Sequence, residues 1–68
     1  MNDSKSLISI IILNYNSGNW LTDCVGSLLN TNYKNYEIIV VDNLSVDNSH
    51  KICKEKFEQI ILIENSKN

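Results

Sequence analysis

The stretch Ile38-Ile39-Val40-Val41-Asp42-Asn43-Leu44-Ser45-Val46-Asp47-Asn48-Ser49 decides the fold. Four β-branched apolar residues run unbroken into an acid, and a turn-forming polar cluster follows at once. An apolar run this short and this rich in Ile and Val predicts a strand buried on both faces of a parallel sheet. A carboxylate at the end of such a strand stands at the sheet's rim, where open α/β sheets take their ligands. Asp42 therefore has two readings. It is a ligand-binding group, or it only opens a turn, as Asp and Asn commonly do by bonding their own backbone.

Working outward, Leu7-Ile8-Ser9-Ile10-Ile11-Ile12-Leu13 repeats the pattern and predicts a first strand after a loose polar start over Met1 to Ser6. It stops at Asn14-Tyr15-Asn16-Ser17-Gly18-Asn19, a composition suited to a turn and a helix N-cap. Trp20, Leu21, Cys24, Val25, Leu28 and Leu29 then recur at helical spacing as one apolar stripe. Gly26 inside this helix costs about 1 kcal/mol relative to Ala, which predicts a close approach of helix to sheet. A polar connector with two tyrosines, Asn30 to Tyr36, leads into the second strand, Glu37 to Val41. Beyond the loop, Ser45 or Asp47 can cap a helix from about Asn48 to Phe57 with Ile52, Cys53 and Phe57 inward. Gln59-Ile60-Ile61-Leu62-Ile63 is a third strand, ending at Glu64-Asn65.

The order strand, helix, strand, helix, strand predicts a three-stranded parallel βαβαβ sheet, in the order 3-2-1, with right-handed crossovers. Parallel pairing puts every strand C-terminus on one edge, so Asn14-Tyr15-Asn16, Asp42-Asn43 and Glu64-Asn65 converge there from three places in the chain. Three apolar runs that all end in hydrogen-bonding residues favour the ligand-binding reading of Asp42.

The composition bounds what that rim can bind. Sixty-eight residues are one small unit, below the usual roughly 100–150 residues of a domain. Such a chain buries only about 60% of its unfolded surface and is marginally stable. The apolar share of 43% suits a globular chain. A net charge of −2 with no run of Lys or Arg argues against nucleic acid and anionic lipid as partners. The two cysteines, Cys24 and Cys53, have neither CxxC nor Cys/His spacing, so they read as buried thiols and no metal ligand is expected. His50 reads as a solvated helix residue. The apolar stretch Leu7 to Leu13 spans seven residues, against roughly 20 needed to cross a bilayer. With no basic region or cleavage site beside it, the expected location is cytoplasmic.

The common phosphate cradles are missing. Gly18 and Gly26 do not form GxGxxG, and no GxxxxGK[ST] occurs. What stands at neighbouring strand ends is an aromatic ring, Tyr15, and a carboxylate, Asp42. That pair suits a nucleobase: the ring offers a stacking face and the carboxylate accepts a base N–H. Uracil, guanine and thymine have a ring N–H to give and cytosine does not, so a reading carboxylate would discriminate.

Ile10 to Asn16, Leu21 to Leu29 and Glu37 to Ser49, in that order, resemble the start of a family 2 glycosyltransferase, whose N-terminal part carries a YN loop and a VVDNxSxD signature. The tail Ile63 to Asn68 resembles the segment that leads into that family's next loop. The resemblance covers nearly the whole chain and implies half of a Rossmann-like GT-A domain. It also implies sugar transfer from a nucleoside-diphosphate donor, UDP-type favoured, to an acceptor hydroxyl. On this resemblance Tyr15 is the base-stacking aromatic and Asp42 the acid that reads the base. Asn14, Asn16 and Asn43 line the donor site, and Asp47 either caps a helix or touches the ligand. The family's metal-binding DxD and catalytic base have no counterpart here. No catalytic residue and no metal site are therefore expected within residues 1–68, and Mg or Mn belongs to a full-length relative. Without the metal, charge on a leaving diphosphate has no partner, and without a base the acceptor hydroxyl is not activated. Leu44 and Val46 depart from the small or polar residues usual there.

The chain alone is thus expected to be inactive in transfer. The alternative is a non-catalytic βαβαβ association module, since the first strand forms an apolar edge and such edges pair with other chains, giving a homo-oligomer. A flavodoxin- or receiver-like domain fits less well, because a receiver needs an acid cluster where this chain has Asn14-Tyr15-Asn16.

Overall fold

The computed structural model describes residues 7–31 and 35–66. The polar start (1–6), connector residues 32–34 with Tyr33 among them, and the tail's last residues (67–68) lie outside the described residues. The chain is α/β, with β1 (Ile8–Asn14), α1 (Trp20–Leu29), β2 (Tyr36–Asp42), α2 (Ser49–Lys56) and β3 (Ile61–Glu64). The strands form one sheet in the order β1-β2-β3, and both pairings are parallel. Asn14 pairs with Asp42 and Asp42 with Glu64, so the three strands end level on one edge.

Because each crossover steps the same way across the sheet, two right-handed connections must lay both helices on the same face. The burial pattern agrees. Ile12, Ile38 and Val40 join Leu21 and Val25 of α1, Cys53 of α2 and Ile60 in one core. Leu21, Val25, Val40 and Cys53 are fully enclosed, and each large aliphatic so buried stabilises the fold by about 1.5–3 kcal/mol. The other face is open: Ile11, Leu13, Ile61 and Ile63 are exposed, and Ile39 and Val41 only half-buried. The expectation that the middle strand is buried on both faces is therefore corrected. Its unbroken apolar run is sealed on one side only.

Several local expectations shift for the same reason, namely which stripe of each helix meets the sheet. On α1 the buried residues are Leu21 and Val25, while Trp20 is 56% exposed at the helix's first position. On α2 the buried stripe runs through Ser49, His50 and Cys53 and on to half-buried Phe57. Ile52 lies off that stripe and is 54% exposed, and His50, expected in solvent, is 3% exposed. Gly26 does approach a neighbour, but it is Phe57 rather than the sheet: a Cβ there would sit 3.5 Å from the ring, an ordinary contact. The third strand starts at Ile61 rather than Gln59, because Ile60 first turns into the core and Lys54 Nζ donates to the carbonyls of Glu58 and Ile60 at 2.7 Å each. Both cysteines are free thiols, and burial, with Cys24 close by, pushes the Cys53 thiol up. Among the described residues no helix is long and apolar enough to cross a membrane.

Candidate functional site

At the level edge, the loops after β1 and β2 are tied together through their side chains. Asn14, 2% exposed, donates from Nδ2 to Asp42 Oδ1 at 2.8 Å, to Ser49 Oγ at 2.9 Å and, more weakly, to Ser45 Oγ at 3.3 Å. Its Oδ1 accepts the Ser17 hydroxyl. The Asp42 carboxylate, also 2% exposed, accepts the Ser45 hydroxyl at 2.6 Å on Oδ1 and the Ser45 backbone N–H at 2.9 Å on Oδ2. Burial alone would raise its pKa. The bonds from Ser45 and Asn14, with His50 nearby, outweigh that and hold it below the usual carboxylate value.

A second tier of bonds locks the loop backbones. Asn16 N–H donates to Ser45 Oγ at 2.9 Å, and Val46 N–H donates back to Asn16 Oδ1 at 2.8 Å. Asp47 accepts from Gly18 N–H on one oxygen and from Ser49 N–H on the other, both at 2.9 Å. The Ser49 and Gly18 bonds hold the Asp47 carboxyl below its usual value. Asp47 thus anchors the start of α2, as the capping expectation had it. The residue at the N-cap position itself is Asn48, with no side-chain cap bond. The clasp holds Asn16, Gly18, Leu44 and Asn48 at positive φ. Asn and Gly tolerate that region, whereas Leu44 at φ 64° does not.

The pleat then decides which side chains remain for a ligand. Asn14 and Asp42 share the parity of Ile12 and Val40 and turn toward the helices; Tyr15 and Asn43, one residue on, turn to the open face. There Leu13, Asn14, Tyr15, Val41, Asn43 and Asn65 line a depression of about 360 Å³. Leu13 and Val41 give it an apolar floor and Tyr15, 64% exposed, an aromatic wall. Asn43 and Asn65 continue the ladder through their backbones, donating to Asn14 O and Asp42 O at 2.9 Å. Both residues are exposed and line the depression. An apolar floor, a ring and amides at one edge suit a flat heterocycle with a polar rim.

Of the residues singled out in the sequence, Asn14, Asn16 and Asp42 are brought together in the clasp, and Tyr15 and Asn43 in the depression. Tyr15 and Asp42 stand at neighbouring strand ends but on opposite faces. The sequence places Asn65 at the rim without giving it a binding role, and does not point to Leu13, Val41, Ser45, Ser49 or His50 as site residues. Strand alternation alone puts Asp42 and Asn43 on opposite faces and could have found that division, but not which of the two faces meets the helices.

His50 lies behind the clasp, with Nδ1 3.5 Å from Asp42 Oδ1 and Nε2 3.7 Å from Glu64 Oε1. Its Nδ1 has no hydrogen-bond partner among the described residues. The two carboxylates face opposite nitrogens of the ring, so the three groups do not converge on one point. Among the described residues no cluster of His, Cys, Asp and Glu could hold a metal ion.

A curated relative, glycosyltransferase GlyG of Streptococcus pneumoniae, is 49% identical over 72% of this chain and 16% of its own length. Glycosyltransferase GlyA of the same organism is 43% identical over 84% of this chain and 9% of its own length. The poly(ribitol-phosphate) beta-glucosyltransferase of Bacillus spizizenii is 41% identical over 90% of this chain and 10% of its own length. The chain thus spans well under a third of each of these curated relatives. The model of Glycosyl transferase family 2 matches residues 9–68, and the chain belongs to that family.

Proposed function

We propose that this chain is the donor-binding part of a glycosyltransferase: half of a Rossmann-like GT-A domain that holds the nucleoside diphosphate of an activated sugar, UDP among those that fit. The observation that carries the reading is the depression at the C-terminal sheet edge, where Tyr15 and Asn43 flank an apolar floor. Tyr15 stacks on the base, and Asn43 meets the base edge. Asp42 serves from behind: with Asn14 and Asn16 it fixes the two loops on which Tyr15 and Asn43 ride, and a ring bound to a fixed wall loses less freedom than one bound to a mobile loop.

Sugar transfer to an acceptor hydroxyl needs a group that neutralises the leaving diphosphate and one that takes the acceptor's proton. No Asp-x-Asp occurs in these 68 residues, so the chain alone binds the nucleotide weakly and does not turn the donor over. The test is an NMR titration of the labelled chain with UDP. Shifts gathered at Tyr15, Asn43 and Asn65, and lost in Tyr15→Ala, are expected. No perturbation by UDP would remove the donor site, and turnover of a UDP-sugar by this chain would remove the inactivity.

One observation favours association as a second reading: the apolar residues on the open sheet face, Ile11, Leu13, Ile61 and Ile63, beside the β1 edge. A second copy could cover them, and its test is taken up below.

A further inference from the structure

Burying Asp42 has a consequence for which bases the site accepts. A carboxylate at the base edge would select rings that carry an N–H. Here the carboxylate is 2% exposed and bonded to Asn14 and Ser45. The exposed polar residues that line the depression are instead Tyr15, Asn43 and Asn65, none of them a carboxylate. We infer that Asn43 reads the base as a neutral, reversible amide, and that the site therefore takes uridine and cytidine nucleotides alike. The inference rests on the donor-site reading above.

The chemistry is that of hydrogen-bond complementarity. Uracil presents an N3–H beside the O4 acceptor: the amide oxygen takes the former and the amide NH2 donates to the latter. Cytosine presents the inverse pair, an N3 lone pair beside the N4 amino group. Turning the Asn43 amide over by half a turn about its last bond restores both bonds. Asn43 is exposed, and it holds to the ladder through its backbone N–H to Asn14 O, so the side chain can turn without breaking the ladder. A carboxylate has no such second state. With one oxygen set against N3 it accepts N3–H from uracil but meets a lone pair in cytosine, and a site left with that unmatched contact rejects the ligand.

The experiment is a paired titration of the 15N-labelled full chain with UDP and with CDP, following the Tyr15, Asn43 and Asn65 backbone signals and the Asn43 side-chain NH2. Both nucleotides are expected to move the same signals, with midpoints within about threefold of each other. In Asn43→Asp the added charge weakens both diphosphates equally, so the ratio is the readout. CDP should fall behind UDP by about tenfold, a difference of about 1.4 kcal/mol. UDP binding with no response to CDP in the parent chain would overturn the inference and leave the donor site standing. An Asn43→Asp chain that keeps its dispersed spectrum but shows no change in the ratio would also overturn it. Silence toward both nucleotides would remove the donor site and the inference together.

Discussion

The side chains of Asn14 and Asp42 meet at 2.8 Å across the β1–β2 pair, on the helix side of the sheet. This contact holds the whole rim in place. Asn14 uses both ends of its amide, donating to Asp42, Ser45 and Ser49 across the gap and accepting from Ser17 in its own loop. Because the pair faces the helices, its chain neighbours Tyr15 and Asn43 face away from them. A buried polar pair thereby sets the direction of two exposed ones.

Removing the amide should show how much depends on it. Asn14→Ala removes the amide donor from Asp42, which keeps only its two bonds from Ser45, removes the same donor from Ser49, and leaves the Ser17 hydroxyl without its acceptor. A buried group left unsatisfied costs about 1–3 kcal/mol, more when it is charged. In a unit this small, a loss of about 3 kcal/mol is most of the stability. Urea unfolding followed by circular dichroism is expected to find the variant largely unfolded at 25 °C. A change under about 0.5 kcal/mol would mean that the clasp is decoration.

The same carboxylates make stability depend on acid. Asp42 and Asp47 both titrate below their ordinary value in the folded chain. A carboxyl with a lowered folded pKa stabilises the fold fully above its unfolded value, about 3.9, and loses that contribution as pH falls through the folded value. The urea midpoint should therefore hold steady with respect to these two groups above about pH 5 and fall steadily below about pH 4. In Asp42→Asn the acid limb should flatten at a lower overall stability. A midpoint that rises on acidification through this range would contradict the assigned bonds.

The apolar runs and their polar ends made the strands, their parallel sense and their common edge legible before any coordinates. The faces were not. Ile38 to Val41 is apolar at every position, so it has no period-two signal from which to tell inward from outward. Asp42 was therefore placed at the right edge, with nothing in the run itself to show that it turns toward the helices. The open face follows from the crossover geometry, which lays both helices on one side and is invisible to a strand's own composition. His50 escaped for a related reason. A polar residue reads as solvent-facing until the register of its helix is known, and α2 turns 49, 50 and 53 inward with Phe57 beyond them, so that of the expected stripe only Ile52 faces out.

Leu44 offers a test in the stabilising direction. It holds φ at 64°, in the left-handed region where a side chain costs roughly 1–2 kcal/mol. Leu44→Gly removes that strain but gives back some unfolded-state entropy and the contacts of a partly exposed side chain. The expected net is about +0.5 to +1 kcal/mol, which raises Tm by several degrees in a chain of this size. A fall in Tm would mean that packing of Leu44 outweighs its backbone strain.

The open sheet face predicts a weak association rather than a stable dimer. Ile11 and Leu13 are 61% and 77% exposed, and Ile61 and Ile63 43% and 47%. With Ile39 and Val41 between them they tile the face, but strand spacing and pleat give it only on the order of 200 Å² in plan. Stable interfaces bury about 800 Å² per partner. Stacking two such faces should therefore yield a dissociation constant on the order of 0.1–1 mM. Sedimentation across that range should show the apparent mass rising with concentration. Ile11→Lys and Ile61→Lys should hold the chain monomeric with Tm nearly unchanged, because both side chains already face water in the single chain. A parent chain that stays monomeric to millimolar concentration would remove the association reading. An assembly unaffected by either lysine would mean that the copies meet elsewhere, with the unpaired backbone of the β1 edge the next place to look.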